Sequence, residues 1–386
     1  MTSQKPANAA KIPFHRATRA GGELEAFQAS FEDGVFVGGG RFTQQAQKWI
    51  ETNWHINKCI LTPSCTAALE MAALLLDLKA GDEVIMPSYT FTTTASSITL
   101  RGATPVFVDV RPDTLNLDEK LLEAARTSRT KAVMPMHYAG VGCEMDLIND
   151  WADSHGISVV EDAAQTVGAS FRGKALGSWG RFGAFSFHGT KNIHCGEGGA
   201  LLVNRAEDQL EAEILRDKGT NRGSFFRGEV DKYTWIKTGS SFLMSEISAA
   251  ILIPQLEAAE RVAKQRMNIF NRYLGGLADL AKKEILSLPH VPSHCSPNGH
   301  IFYVLTRDEK SRVSLMLHLS QQGIGAVTHY VPLHSSPEGL RRGRSVGSMA
   351  VTNRVDQTLL RLPLWQDMGD GVDRVLESVH DWARGQ

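Results

Sequence analysis

The stretch Ser186-Phe187-His188-Gly189-Thr190-Lys191-Asn192, followed by Gly196-Glu197-Gly198-Gly199-Ala200, decides how this chain is read. A single lysine closes the apolar run 182–187 and stands among glycines, which let a backbone approach a ligand closely. Upstream, Val159-Val160-Glu161-Asp162-Ala163-Ala164-Gln165 is a second apolar run that ends in a carboxylate. A lysine and an acid presented by two strand ends are the groups that pyridoxal phosphate (PLP) requires. The lysine forms a Schiff base, and the acid keeps the pyridine nitrogen protonated so that the ring draws electrons. The plainer alternatives are a solvated surface lysine for Lys191 and a turn acid or helix cap for Asp162.

Working outward, short Val- and Ile-rich runs at 83–87, 105–109, 132–136, 157–160 and 200–203 read as strands buried on both faces. Between them, 66–78, 117–125 and 144–155 have helical spacing. Strand–helix alternation predicts an α/β fold: a mainly parallel sheet with helices on both faces. The link from Asp162 to Phe182 is polar and carries Gly168, Gly173, Gly177 and Gly180, so it reads as a hairpin-like excursion rather than a crossover helix. The strand 182–187 is therefore expected to run antiparallel to its neighbours. A long helical pattern spans 244–280 with Pro254 inside it, where a kink or break is expected. Beyond it, a strand at 302–305, a helix at 313–321 and a strand at 326–331 predict a smaller α+β unit. The expected division is an N-terminal arm (1–35), a large PLP-binding domain (36–255) and a small C-terminal domain (256–386).

The 386 residues carry a formal charge of -1 and are 42% hydrophobic, which is ordinary globular composition. Near-neutral charge without a Lys/Arg block argues against nucleic acid as a partner. Cys59, Cys65, Cys143, Cys195 and Cys295 are odd in number and form no CxxC pair, so a reducing cytoplasm is the expected location. Residues 1–14 lack the apolar run of a signal peptide, and no stretch is apolar for long enough to predict a membrane span.

Pro63-Ser64-Cys65-Thr66-Ala67-Ala68 opens a helix directly after an apolar strand. A helix N-terminus offers free N–H groups to a phosphate, with Ser64, Thr66 and Ser186 as further hydroxyls; simple N-capping is the alternative. Tyr89 or Phe91 could stack on the ring, or pack in the core. Gln165 is placed to reach the ring or its hydroxyl. His188 and His194 stand six apart without cysteines, which is no zinc pattern, so no metal is expected. Gly196-Glu197-Gly198-Gly199 is not a dinucleotide fingerprint.

In this order, Ser64 to Leu69, Met86-Pro87-Ser88-Tyr89-Thr90-Phe91, Glu161 to Gln165, Ser186 to Lys191 and Gly196 to Ala200 resemble the sugar-nucleotide aminotransferases of the DegT/DnrJ/EryC1/StrS family. The resemblance covers about residues 38–364. It implies the type I PLP-dependent aminotransferase fold with a seven-stranded sheet. It implies that Lys191 carries PLP and moves the proton, Asp162 pairs with the pyridinium, Gln165 contacts the ring hydroxyl and Phe91 stacks. Cys65, Thr66 and Ser186, with Ser64 beside them, would hold the phosphate. Many members reach the partner subunit's phosphate from a Gly-Tyr-Asn-Tyr-Arg stretch, which here reads Gly239-Ser240-Ser241-Phe242-Leu243 and puts Ser241 in the asparagine's place. Asp231-Lys232-Tyr233-Thr234-Trp235 and His329-Tyr330-Val331-Pro332 match a subgroup acting on dTDP-4-keto-6-deoxy sugars, implying substrate contacts for Tyr233, His329 and Tyr330. L-glutamate as donor and a homodimer with shared active sites are implied as well. Members that dehydrate sugars replace the lysine by histidine, and Lys191 argues against that activity. A catalytically silent PLP-binding regulator is the remote alternative.

Overall fold

The structure, a computed structural model, describes residues 11–17 and 19–385. The first ten residues of the expected N-terminal arm lie outside that range. Among the described residues there are fourteen strands: β1 (Lys58–Thr62), β2 (Glu83–Pro87), β3 (Thr104–Val108), β4 (Thr130–Val133), β5 (Ser158–Asp162), β6 (Ser170–Phe171), β7 (Lys174–Ala175), β8 (Phe182–Ser186), β9 (Gly199–Val203), β10 (Leu286–Ser287), β11 (Cys295–Ser296), β12 (Phe302–Thr306), β13 (Arg344–Ser345) and β14 (Leu359–Leu362). The main sheet runs β1-β9-β8-β5-β4-β2-β3-β13. Seven strands match the expected sheet, and two-residue β13 adds an eighth at the edge.

All pairings in this sheet are parallel except the two made by β9. This corrects the expected strand direction. β8 runs parallel to β5, with Asp162 opposite Ala184, and antiparallel only to β9. The reversal comes after the lysine, because the 187–198 loop folds back through Phe187 N–H to Gly198 O (2.8 Å) and Gly189 N–H to Gly196 O (2.7 Å). The excursion 163–181 contains no helix, as expected. It holds the β6–β7 hairpin, whose turn residues Arg172 and Gly173 both have positive φ, the geometry that fits the twist of a two-residue hairpin.

β2, β8 and β9 are buried along their whole length, and the other long strands over most of theirs, because helices cover both faces. One covering helix, Cys65–Leu75, presents Ala68, Leu69, Met71, Ala72 and Leu75 to the core with Phe182, Ala184 and Leu201. It sits so close to β9 that a Cβ on Gly199 would stand 2.3 Å from the Cys65 nitrogen. Glycine there lets the helix N-terminus press onto the sheet.

The helix Glu246–Glu257 contains Pro254, and the break falls four residues later at Ala258, before the helix Ala259–Gly276. Past it, β10, β12 and β14 form an antiparallel sheet covered by Glu309–Gln321 and Gly371–Ala383. Phe270, Tyr273, Phe302, Leu315, Leu360 and Val375 share its core. A division into a large unit before residue 256 and a small one after it is retained as a proposal. The strand expected at 326–331 is absent: Val327 makes a single bridge to Arg361, and the chain then bends away. The bend takes His329 and Tyr330 out of any sheet and into the cavity described next. No helix among the described residues is long and apolar enough to cross a membrane.

Candidate active site

The carboxyl ends of β1, β2, β5 and β8 open on one side of the sheet, where open α/β sheets bind ligands. A cavity of about 520 Å³ lies there, lined by Ser64, Cys65, Thr66, Phe91, Asp162, Gln165, Ser186, Lys191, His329 and Tyr330. Ten of the residues singled out in the sequence therefore meet in one place, whereas Tyr89 is packed in the core. Tyr233 and Ser241 do not line it. Tyr233 is 56% exposed beside Phe225, and Ser241 is an exposed residue bridged to Asp217.

Lys191 sits in the turn after β8, with its own N–H bonded to His188 O at 2.8 Å. Burial holds its amine below the ordinary lysine range. Cys65 and Asp162 oppose that shift, and the Arg361 cation deepens it. Asp162 ends β5 and is buried. Its Oδ2 accepts the Thr94 hydroxyl at 2.6 Å and its Oδ1 the Ala164 N–H at 3.2 Å. The Thr94 oxygen is itself 2.8 Å from Thr90 Oγ1, so a short hydroxyl chain orients the carboxylate.

The first turn of the helix Cys65–Leu75 faces the cavity. Ser64 Oγ caps it by accepting the Ala67 N–H at 3.1 Å, which leaves the hydroxyl proton available to a ligand. The capping reading and the phosphate-binding reading are thus compatible in one residue. The N–H groups of Cys65 and Thr66 open the helix and have no intrahelical acceptor. Burial pushes the Cys65 thiol well up, so it stays a neutral thiol beside that turn.

Gln165 is held at both ends. Its Oε1 accepts the Ala139 N–H at 2.7 Å, and its Nε2 donates to the Tyr330 hydroxyl at 2.6 Å. One N–H of the amide is left over for a ligand. Tyr330 stacks on His329, with ring centroids 3.7 Å apart, and His329 Nδ1 meets the Tyr138 hydroxyl at 2.7 Å. Burial, with Arg361 and Lys191 nearby, holds His329 well below the ordinary histidine range, so it is neutral. Phe91 is 52% exposed at the rim, its ring 6.1 Å from that of Tyr330, so it can cap a planar ligand rather than fill the core.

These residues fit PLP. Free helix N–H groups with Ser64, Thr66 and Ser186 suit its phosphate, Asp162 suits its ring nitrogen, and the depressed Lys191 amine suits its aldehyde. Among the described residues no group of His, Cys, Asp and Glu could hold a metal ion.

Sequence reasoning missed several members of the lining. His15 reaches in from the N-terminal segment, 3.1 Å from Gly189 O. His300 is buried, with Nδ1 2.9 Å from Asn192 Oδ1. Arg361 comes from β14. A signal existed for Arg361 alone: it is the one charge in Leu359-Leu360-Arg361-Leu362-Pro363-Leu364.

Known proteins can be set beside this geometry. A protein of Methanocaldococcus jannaschii, itself uncharacterized, is 35% identical over 324 residues, which is 82% of this chain and 83% of that one. The solved structure of S. venezuelae DesV, in complex with a ketimine intermediate, is 31% identical, with a TM-score of 0.88 over 97% of this chain and 99% of that one. NtdA from Bacillus subtilis, solved with bound cofactor PMP, is 26% identical with a TM-score of 0.87, covering 99% of this chain and 87% of that one. The model of the DegT/DnrJ/EryC1/StrS aminotransferase family matches residues 19–380. The chain belongs to that sugar aminotransferase family, which has the type I fold and uses PLP.

Proposed function

We propose that this protein transfers the amino group of L-glutamate to C4 of dTDP-4-keto-6-deoxy-D-glucose, giving dTDP-4-amino-4,6-dideoxy-D-galactose. The observation that carries the transaminase chemistry is the meeting of a half-buried Lys191 with Asp162 and an open helix N-terminus in one cavity. The sugar assignment rests on sequence resemblance at 231–235 and 329–334.

PLP, when bound, supplies the electron sink that lets the C–H bond beside the transferred nitrogen break. Every other part of the work falls to the chain. Lys191 Nζ would hold the cofactor, and the same amine would take and return the proton. Its depressed basicity keeps a larger neutral fraction at working pH, as a proton acceptor needs. Asp162, oriented by Thr94, would hold a proton on the ring nitrogen. Ser64, Cys65, Thr66 and Ser186 would anchor the phosphate, and Phe91 would cover the ring face. His329 and Tyr330, locked by Tyr138 and Gln165, form the wall against which substrate is oriented.

Tyr233 and Ser241 lie on an exposed excursion that also shows Phe226 and Trp235 to solvent. We read the working enzyme as a homodimer in which this excursion reaches the other copy's site. Two substrates using one site call for ping-pong kinetics.

The test is to incubate the holoenzyme with L-glutamate and dTDP-4-keto-6-deoxy-D-glucose and read the product's H-4 couplings by proton NMR. A small H3–H4 coupling is expected, from an axial amine. A large coupling would mean the gluco epimer, and an amine at C3 would move the site of transfer. A cofactor spectrum indifferent to L-glutamate would leave a silent PLP-binding protein.

A further inference from the structure

His300 presents a bare ring nitrogen, and its hydrogen bonds show which one. Asn298 Nδ2 donates to Gln165 O (2.9 Å) and Val167 O (3.0 Å), and its Oδ1 accepts the His300 N–H (3.1 Å). The Asn298 carbonyl accepts from Asn192 Nδ2 at 3.0 Å. A carbonyl can only accept, so the Asn192 amide has a single orientation. Its Oδ1 therefore faces His300 Nδ1 at 2.9 Å, and Nδ1 carries the ring proton. Asn192, Asn298 and His300 are all buried. Burial holds His300 well below the ordinary histidine range, and Lys191, Arg266, Arg361 and His329 around it push the same way, so the ring is neutral. Nε2 is then an unprotonated acceptor. Among the described residues no hydrogen bond reaches it, although the ring lines the cavity that Lys191 lines.

A buried acceptor calls for a donor. Arg266 is satisfied by the carbonyls of Gly299, His300 and Leu364. Arg361 lies over the Phe14 ring. Lys191 is the neighbour of Asn192 in the chain, its amine ends a flexible stem, and its charge acts on His300 more than any other does. The lysine in turn lacks an acceptor of its own. Asp162 and Cys65 favour its charged form and Arg361 opposes it, but Asp162 already accepts from Thr94 and Ala164, and the Cys65 thiol is neutral.

We infer that His300 is a positioning residue for Lys191: its bare Nε2 accepts a hydrogen bond from the lysine amine whenever that amine is free of the cofactor. This rests on the transaminase reading above. When Nζ takes the proton from the substrate carbon it becomes an ammonium, and Nε2 holds one of its N–H bonds. The proton stays on the lysine, the more basic of the two groups, and is delivered from there to the receiving carbon. His300 neither gains nor loses a proton. Lys191 moves a proton in both half-reactions, so His300 serves both alike and contacts neither substrate.

The test pairs His300→Leu, which removes both ring nitrogens, with His300→Gln, whose amide can donate to Asn192 and still offer an oxygen to the lysine. In cofactor-free protein, the rate at which Lys191 captures PLP is followed against pH. An acceptor favours the charged amine, so His300→Leu should move the midpoint about one pH unit lower, with His300→Gln close to wild type. In holoenzyme, single turnovers with L-glutamate, and of the amino form with the keto sugar, should slow about 10- to 100-fold in His300→Leu, the scale of one charge-assisted hydrogen bond, and by the same factor in both halves. Half-saturating concentrations should stay within about threefold, and His300→Gln should recover most of the rate. An unmoved capture midpoint in His300→Leu would overturn the inference. So would weaker substrate saturation with the rate kept, which would turn Nε2 toward a substrate, or equal damage in the two variants, which would make the ring a packing group. If His300→Leu does not fold, nitrogen-15 NMR of histidine-labelled, cofactor-free protein decides. His300 Nε2 should be unprotonated, with a resonance that moves in Lys191→Ala; a protonated Nε2, or one indifferent to the lysine, sinks the idea. If L-glutamate leaves the wild-type cofactor spectrum unchanged, the transaminase reading fails, and the capture midpoint and the Nε2 resonance still judge the histidine.

Discussion

Glu161 and Asp162 are neighbours on β5, both buried, and they lead opposite lives. Successive strand residues point to opposite faces. Glu161 accepts four hydrogen bonds, from the N–H groups of Gly177 (2.8 Å), Trp179 (2.6 Å) and Gly180 (2.8 Å) and from His137 Nε2 (2.9 Å). His137 Nδ1 accepts the Cys143 N–H at 3.1 Å, which fixes the ring proton on Nε2. Asp162 accepts only two bonds and faces the cavity. Two arginines repeat the contrast. Arg266 donates to the carbonyls of Gly299, His300 and Leu364 at 2.9–3.0 Å, whereas Arg361 has the Phe14 ring. Glu161 and Arg266 are satisfied by the fold, whereas Asp162 and Arg361, in the cavity of Lys191, keep capacity for a ligand.

The sharpest way to break this comparison is at the lysine itself. Lys191→Ala should lower turnover by about ten-thousand-fold or more, since one group is both the cofactor's anchor and the proton carrier. Steady-state rates with L-glutamate and the keto sugar check it. Substantial residual activity would refute the mechanism.

Exchanging carboxylate for amide at the two acids comes next. Asp162→Asn keeps the shape and an oxygen for Thr94 but removes the charge, and turnover should fall about 100- to 1000-fold with little change in unfolding midpoint. Glu161→Gln should do the reverse. Its new NH₂ would meet N–H donors from the Gly177–Gly180 turn or His137, and unfolding in denaturant should show a loss of about 2–4 kcal/mol with the cofactor spectrum kept. If the two substitutions behaved alike, satisfied and unsatisfied carboxylates would be the same kind of group, and the comparison would fall. Thr94→Val is milder. It removes one charge-assisted hydrogen bond from Asp162, and turnover should drop about tenfold without loss of stability large enough to unfold the chain.

The ligand side of this contrast was legible where chemistry is local in sequence. Lys191, Asp162 and the Ser64–Thr66 turn each end an apolar run, so their strand-end positions could be read directly. Strand direction could not. Reversal at β9 instead of β8 depends on the hydrogen bonds of the 187–198 loop, and an apolar five-residue run looks the same either way. The alternation at 326–331 reads as a strand, yet the pairing of Tyr330 with Gln165 and of His329 with Tyr138 holds that segment against the cavity. Thr94 sits in the run Thr92-Thr93-Thr94 with nothing to set it apart, because only the fold brings it 2.6 Å from a carboxylate 68 residues away. His15 and Arg361 are likewise supplied by segments at the two ends of the chain.

The smallest expected effect is a shift in pH dependence, and it tests whether the cavity groups act on one another. Lys191 is depressed from 10.5 by burial, with Asp162 and Cys65 opposing and Arg361 assisting. In cofactor-free protein the neutral amine is the species that captures PLP, so the capture rate should rise with pH and level off below the range of an ordinary lysine. Asp162→Asn removes an anion that favours the charged amine, and should move the midpoint lower. Arg361→Gln removes a cation that disfavours it, and should move the midpoint higher. Stability follows the same sign. A depressed lysine contributes its full share above 10.5, where folded and unfolded chains are both neutral, and that share is lost as pH falls through the folded value. Melting temperatures of the cofactor-free protein and of Lys191→Ala should therefore diverge as pH is lowered, with the alanine variant gaining on the wild type. Parallel curves would mean that Lys191 is solvated in the cofactor-free state, and that the cavity is not the low-dielectric pocket that its unsatisfied groups describe.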